Sequence, residues 1–560
     1  MTERERPRAL DYALGLLLGL LLGGVGELMV ARAQAKTAPG QVPVEILADD
    51  HLIYLGAIYG SFAREAAEGG GLSVHNHQTS TPHGDVLNRP WDWGVGQLGR
   101  LMGLGARGYF HLDRWLACLL FGPALVFVLG EFLGRRSARR WALFAIALGG
   151  SLYWLIELPF VGREAGVGVR TWLDAHHSAQ SGLGYSPLAL AIGAPHVLLE
   201  LVFFACALGG LLRAARCASA AWALAAGLAI LVQAWVRPYT VPVHFAVAAA
   251  LWVPGLWKGP RAKSALLLAL ALGPCTPHLK HLFDVLRGAT VFSRLDVVHP
   301  APPLFEQLWF HGLLAFAAVF ALVPAVWGKR KRLGLADPLA ARALWVGLLA
   351  NLALVNGEPL VRWGVEAMLP PALLFGLLAA RAGEALEGRA LQGVGALAVV
   401  LGLVPNALWL AELDRGLDRE GGVLYVSSNE QAALDWLSEV RPERSLTSVT
   451  PPIALVCDPK LGVFVPWLGG VRTLMGHPDH TPRWRELEKL ALRGYYRFGV
   501  GLPELVEAGA THILWGPRER RHRAPSWRGD PSEDERLELV WFQGAVQVYS
   551  ILSAESEEDG

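Results

Sequence analysis

The sequence predicts an α-helical polytopic membrane protein of about eleven transmembrane helices, followed by a small C-terminal α/β domain outside the membrane. Three observations predict it. The chain of 560 residues is 53% hydrophobic and only 18% charged, with a mean hydropathy of +0.34, too apolar for an ordinary soluble domain. Apolar runs of spanning length recur through the first 411 residues. The loops between them alternate in basic charge.

A bilayer core needs about 20 apolar residues per helix. Runs of that kind fall near 9–31, 112–134, 139–161, 187–212, 219–236, 238–257, 264–279, 307–327, 343–356, 362–382 and 390–411. Prolines inside them, such as Pro123, Pro195 and Pro254, are tolerated because neighbouring helices satisfy the freed carbonyls. Every second loop is basic: Arg4, Arg6 and Arg8; "GRRSARR" (134–140); Arg213 and Arg216; "KGPRAK" (258–263); "GKRKR" (328–332); Arg381 and Arg389. These loops are read as cytoplasmic, which puts the N-terminus inside and the C-terminal region outside, in a multi-pass membrane protein. The opening "ERERPRALDY" before a long apolar run is read as a retained anchor helix rather than a cleaved signal, because the run outlasts a signal core.

The loops read as outward are the long ones, at about 32–111, 162–186 and 280–306. Function concentrates in long loops, so the working face is outward. In the first of them, "ADDHLIYLGAIYGSFAREAAEGG" has apolar residues at helical spacing and reads as an amphipathic helix lying flat on the membrane. The spans and their loops make a membrane domain over 1–411 and the remainder a second domain over 412–560. There "NEQAALDWLSEV" reads as a helix capped by Asn429, "SLTSV" and "IALVC" as strands, "RWRELEKLALRGYYRFG" as a helix, and "RLELVWFQGAVQVYSIL" as a hairpin around Gln543 and Gly544. The last residues form an acidic frayed tail.

Net charge is +1, which gives no field for nucleic acid. The five cysteines have no metal or redox spacing and read as small buried hydrophobes. No glycine-rich phosphate cradle is present, which argues against ATP-driven transport and against a nucleotide-sugar donor. Asp49 and Asp50 stand at the start of the first outward helix, where either is able simply to cap it. Arg237, Lys280, His281 and Arg362 lie at ends of predicted spans, and interfacial snorkelling is a sufficient role for each. His75, His77, His83 and Asp85, or Asp174, His176 and His177, offer imidazole and carboxylate for a divalent ion, but neither group has a ligand spacing, so no cofactor is expected. Glu157, His196, Glu200 and His244 fall inside spans, and Glu200 shares a helix face with His196.

Several pieces together resemble the GT-C class of membrane glycosyltransferases, in particular bacterial members that depend on polyprenyl-phosphate sugars and carry a C-terminal extracytoplasmic domain. They are the carboxylate pair in "ADDHLIYLGAIY", the loop entering "GQLGRLMGLGARGYFHLDRW", "YSPLALAIGAPHVLLELVFF", "VRPYTVPVHF", and in the tail "EQAALDWLSEVRPERSLTSV", "FVPWLGGVRTLMGHPDHTP" and "LPELVEAGATHILWGPRER". The resemblance implies transfer of a sugar from a polyprenyl-phosphate carrier to a lipid, glycan or protein acceptor at the outer face. It implies Asp49 or Asp50 as base or acceptor-orienting group, and the four cationic residues, Arg237, Lys280, His281 and Arg362, as ligands of the lipid phosphate. Two other readings stand beside it. A secondary transporter or flippase requires repeated halves, which the sequence lacks. A GT-C-like protein without the chemistry keeps the fold alone.

Overall fold

The computed structural model describes residues 5–44, 50–79, 86–149, 186–287, 337–356, 369–383, 388–416, 425–442, 446, 453–477, 481–525 and 530–552. The predicted span 307–327, Asp49, Arg362, the acidic tail and nearly all of "SLTSV" lie outside these residues. The chain divides into two compact units. One comprises Met1–Met29, Asp113–Lys280 and Val298–Gly416, the other Val30–Leu112, His281–Val297 and Leu417–Gly560.

The first unit is helical. Among the described residues, four helices are long and apolar enough to cross a membrane: Ala9–Lys36, Ala106–Phe132, Pro195–Cys217 and Gly388–Ala411. Shorter apolar helices run over Ala220–Val236, Val241–Trp257 and Pro338–Leu354. The first two long helices meet on glycine. A Cβ on Gly19 would stand 2.1 Å from Cys118 O, and one on Gly122 only 1.8 Å from Gly15 O. Small residues four apart let backbones close to this distance, which replaces the hydrophobic drive that lipid cannot supply. The same helix leaves Leu17, Leu21 and Leu28 exposed, as a lipid-facing side requires.

Basic loops of this unit gather at one end. Asp11 Oδ1 lies 3.0 Å from Arg136 Nε and 3.2 Å from Arg140 Nε. Arg216 binds both Glu131, at 3.0 Å, and Asp337. Arg381 Nη1 donates to Phe132 O at 2.7 Å. Four stretches far apart in sequence therefore share one rim, as their alternation predicts.

Two predicted spans are broken. The run 187–212 forms Pro187–Gly193 and then Pro195–Cys217, because Pro195 has no N–H to continue the first helix. The buried Arg114 donates to Ile192 O at 2.9 Å, satisfying a carbonyl near the break. The run 264–279 divides at Pro274 into Arg261–Leu272, a single 3₁₀ turn and Thr276–Arg287.

The second unit contains the strands. β1 (Gln41–Pro43) pairs antiparallel with β4 (Tyr425–Ser427), and β2 (Ser73–His75) with β3 (Val86–Asn88). The main sheet joins β5 (Ala454–Val456), β6 (Arg472–Thr473), β7 (His512–Trp515), β8 (Leu537–Gln543) and β9 (Val546–Ile551) in the order β6-β5-β7-β9-β8. Its first three strands are parallel and its last two form the expected hairpin, which turns through Gly544 at φ +55. The helix Ser428–Val440 is capped by Ser427, not Asn429: Ser427 and Glu430 close a reciprocal capping box. The segment 484–498 is helical, with a π-wound middle at Lys489–Tyr495 that turns Tyr495 and Tyr496 into the core beneath the sheet.

Candidate functional site

Asp50 is the first residue of the helix Asp50–Ala67; Asp49 lies outside the described residues. The helix does not lie flat with one wet face. Ala57, Ile58, Phe62 and Ala66 are buried, and so are Ser61, Arg64 and Glu65. Its apolar side packs on Val74 and Leu87 of the β2–β3 ribbon. Its polar row makes the contacts that fix it.

Glu65 holds two of the first loop's histidines, His75 and His77. His75 Nδ1 lies 2.8 Å from Glu65 Oε1, His77 Nε2 lies 2.8 Å from Oε2, and the His75 amide donates to Oε2 at 3.1 Å. His77 Nδ1 is 3.0 Å from Ser61 Oγ. Burial alone would raise the Glu65 carboxyl, but the two histidines outweigh it and hold it down at about 2. Burial pushes His77 the other way, below its ordinary value, so the pair is a carboxylate receiving N–H bonds from a neutral imidazole. His83, Asp85, Asp174, His176 and His177 lie outside the described residues. Among the described residues, no three His, Cys, Asp or Glu side chains come together to hold a metal ion.

One turn along, Arg64 reaches the C-terminal segment. Its Nη1 donates to Trp467 O at 2.8 Å and Leu468 O at 2.5 Å, and its Nη2 to Ser438 Oγ at 2.6 Å. Glu68 accepts from Arg441 at 2.6 Å. Gly60 leaves room for the Trp467 ring, which a Cβ would approach to 2.7 Å. Past β2, Thr481 Oγ1 donates to Gln78 O at 2.7 Å and the Thr473 amide to His77 O at 3.3 Å. The first long loop and the C-terminal sheet thus form one folded body. Thr481, from "GHPDHTP", belongs to that body, while residues 478–480 of that piece lie outside the described residues. Nothing in the sequence pairs Arg64 or Glu65 with partners beyond its own helix.

The phosphate candidates are separated by environment. Arg237 is buried at the end of the helix Ala220–Val236, where its Nη1 lies 3.5 Å from Glu200 Oε2. Glu200, which by its spacing shares a helix face with His196, is bound through the turn. Thr240 Oγ1 donates to Glu200 Oε1 at 2.7 Å, Gln233 Nε2 to Thr240 Oγ1 at 2.5 Å, and His244 Nε2 bonds Gln233 Oε1 at 2.8 Å. The charges of Arg237 and Glu200 offset each other within this chain of hydrogen bonds. Lys280, exposed, and His281, half-buried, follow each other on the helix Thr276–Arg287. Arg362 lies outside the described residues.

At the carboxyl ends of β5 and β7, Glu519 ties the two strands. Its Oε1 accepts from the Asp458 amide at 2.8 Å and its Oε2 from the Gly516 amide at 3.0 Å, and burial pushes its carboxyl up to about 7. His522 Nε2 lies 2.9 Å from Asp458 Oδ2.

No protein-family profile and no curated protein sequence matches the chain. Solved structures do. The arabinofuranosyltransferase AftD from Mycobacteria superposes with a TM-score of 0.54 at 16% identity, over 98% of this chain and 40% of that one. The chain has the GT-C fold. The GT-C fold here occupies about two-fifths of AftD's length. Two further structures align less closely with this GT-C chain. The archaeal oligosaccharyltransferase AglB from Archaeoglobus fulgidus, solved with an inhibitory peptide and a dolichol-phosphate, gives a TM-score of 0.48 at 13% identity, over 89% of this chain and 69% of that one. ArnT from Cupriavidus metallidurans, bound to undecaprenyl phosphate, gives 0.46 at 13% identity, over 96% and 98%.

Proposed function

We propose that this GT-C protein transfers a sugar from a polyprenyl-phosphate carrier to an acceptor at the outer membrane face, with Asp49 or Asp50 as the base. The fold shared with a membrane arabinofuranosyltransferase carries this reading. On it, the chain crosses the inner membrane about eleven times, with its N-terminus cytoplasmic and the sheet-bearing C-terminal domain extracytoplasmic.

The architecture supports a role for the carboxylate pair. Asp50 begins a helix whose far end is pinned by Arg64, Glu65 and Glu68, so its N-terminus is a fixed point within the folded body. An anion in a helix's first turn is stabilised by roughly 0.3–1 kcal/mol. An ionised carboxylate accepts the acceptor's hydroxyl proton as oxygen bonds to the anomeric carbon and the lipid phosphate leaves. Arg237, Lys280, His281 and Arg362 are the cations offered to that phosphate. No metal or cofactor enters this scheme.

The test is reconstitution. Purified protein in liposomes receives a labelled polyprenyl-phosphate sugar and crude envelope acceptors. Labelled product on the face that a membrane-impermeant protease reaches supports the reading. Movement of intact donor across the bilayer with no new glycosidic bond overturns it in favour of a flippase.

A further inference from the structure

The hydrogen-bond chain inside the helical unit ends on an unfilled acceptor. Gln233 Oε1 only accepts, so His244 must donate to it from Nε2, at 2.8 Å. The other ring nitrogen, Nδ1, then carries a lone pair. Among the described residues it is buried without a hydrogen-bond partner. His244 is fully buried, with the Phe204 ring 4.5 Å from its own.

A second orphan comes level with it. Asn351, on the helix Pro338–Asn356, is fully buried, and among the described residues neither its Nδ2 nor its Oδ1 has a partner. That helix runs antiparallel to the His244 helix. Arg342 Nη1 donates to Ala250 O at 3.2 Å, and a Cβ on Gly347 would stand 3.4 Å from Val247 Cγ2. The same descent, one turn further, brings Asn351 to the level of His244. The two orphans are complementary to one guest: a group that donates to the imidazole lone pair and accepts from the Asn351 amide N–H. An O–H group meets that description, whereas a bare phosphate oxygen offers nothing to His244 Nδ1. In an apolar interior, polar groups left unfilled are costly, and apolar residues of similar shape would serve the fold better.

The place is suggestive of substrate. His244 is the fourth residue of its helix, about 4.5 Å along from the helix start. The Arg237–Thr240 turn precedes that start directly. We propose that His244 and Asn351 form a buried site for one hydroxyl group, supplied by the sugar of the lipid-linked donor. This rests on the transferase reading above. A resident water has the same chemistry and is the competing occupant.

The experiment measures ligand-induced shifts in melting temperature of the full-length protein in nanodiscs. The probes are undecaprenyl phosphate alone and undecaprenyl-phosphate-linked pentose and hexose. Wild type is expected to bind one sugar-linked lipid at least tenfold more tightly than the bare carrier. Asn351→Leu and His244→Phe are each expected to lose that increment and keep the response to the bare carrier. Asn351→Leu without ligand should melt no lower than wild type, which separates a binding defect from misfolding. Variants that keep the full increment overturn the site and leave the transferase reading standing, with water the occupant. Variants that lose the bare carrier too overturn the assignment to the sugar. A wild type that responds to no lipid overturns the transferase reading and the site with it.

Discussion

His77 Nε2 lies 2.8 Å from Glu65 Oε2, with both side chains shut away from solvent. The contact joins the helix that begins at Asp50 to the segment just past β2, where the Thr473 amide of β6 donates to His77 O. It makes the folded body sensitive to acid. Glu65 is held at about 2, below its usual 4.5, and His77 below its usual 6.5. Both depressions act in one direction. Each contributes stability that is complete above the unfolded value and is lost as pH falls, from about 6.5 for His77 and from about 4.5 towards 2 for Glu65. A shift of that size on Glu65 corresponds to roughly 3 kcal/mol. Thermal melts between pH 7.5 and 4 should show the midpoint falling, and Glu65→Gln should flatten the lower part of the profile. An unchanged slope in Glu65→Gln would show that the carboxylate carries no such load.

Arg64 is the second anchor of the same helix. Arg64→Ala leaves the carbonyls of Trp467 and Leu468 without their donor, a loss of about 2–4 kcal/mol for a buried charged hydrogen-bonding group. Limited proteolysis should then cut the 32–111 loop at least tenfold faster. Arg441→Ala should act in the same direction, and the double variant with Glu68→Ala should be less than additive, since Glu68 and Arg441 are direct partners.

The glycine contact between the first two long helices predicts a sharp contrast. Gly19→Leu places atoms where Cys118 O already stands and should cost upwards of about 2 kcal/mol, read as lost folded protein in detergent. Gly24 has nothing within 4 Å of the position its Cβ would take, so Gly24→Leu on the same helix should be tolerated. Equal yields from the two variants would contradict this packing.

These relationships divide by how far they reach along the chain. Helices, their boundaries near proline and the alternating basic loops follow from composition within about 20 residues. The meeting of Arg136 with Asp11, and of Arg216 with Glu131 and Asp337, fits that alternation. The sheet hairpin around Gly544 follows from its own residues in the same way. Arg64 with Trp467 does not, because its partners stand about four hundred residues away and local patterning carries no record of them. The spacing of Glu200 and His196 pointed along one helix, whereas the carboxylate is claimed by Arg237 and Thr240 across a turn. His75 and His77 stand in the sequence as imidazoles without a ligand spacing, and nothing local shows that the buried Glu65 takes both.

The central claim rests on the carboxylate pair, and one measurement meets it directly. Initial rates of sugar transfer from a labelled polyprenyl-phosphate donor are compared for wild type, Asp49→Asn, Asp50→Asn and the double variant, all in the same liposomes and at equal protein. The account predicts that one single variant and the double lose about 10²–10⁴-fold in rate while donor binding stays within about twofold, the size of effect a general base supplies. A double variant that transfers sugar at the wild-type rate would contradict it.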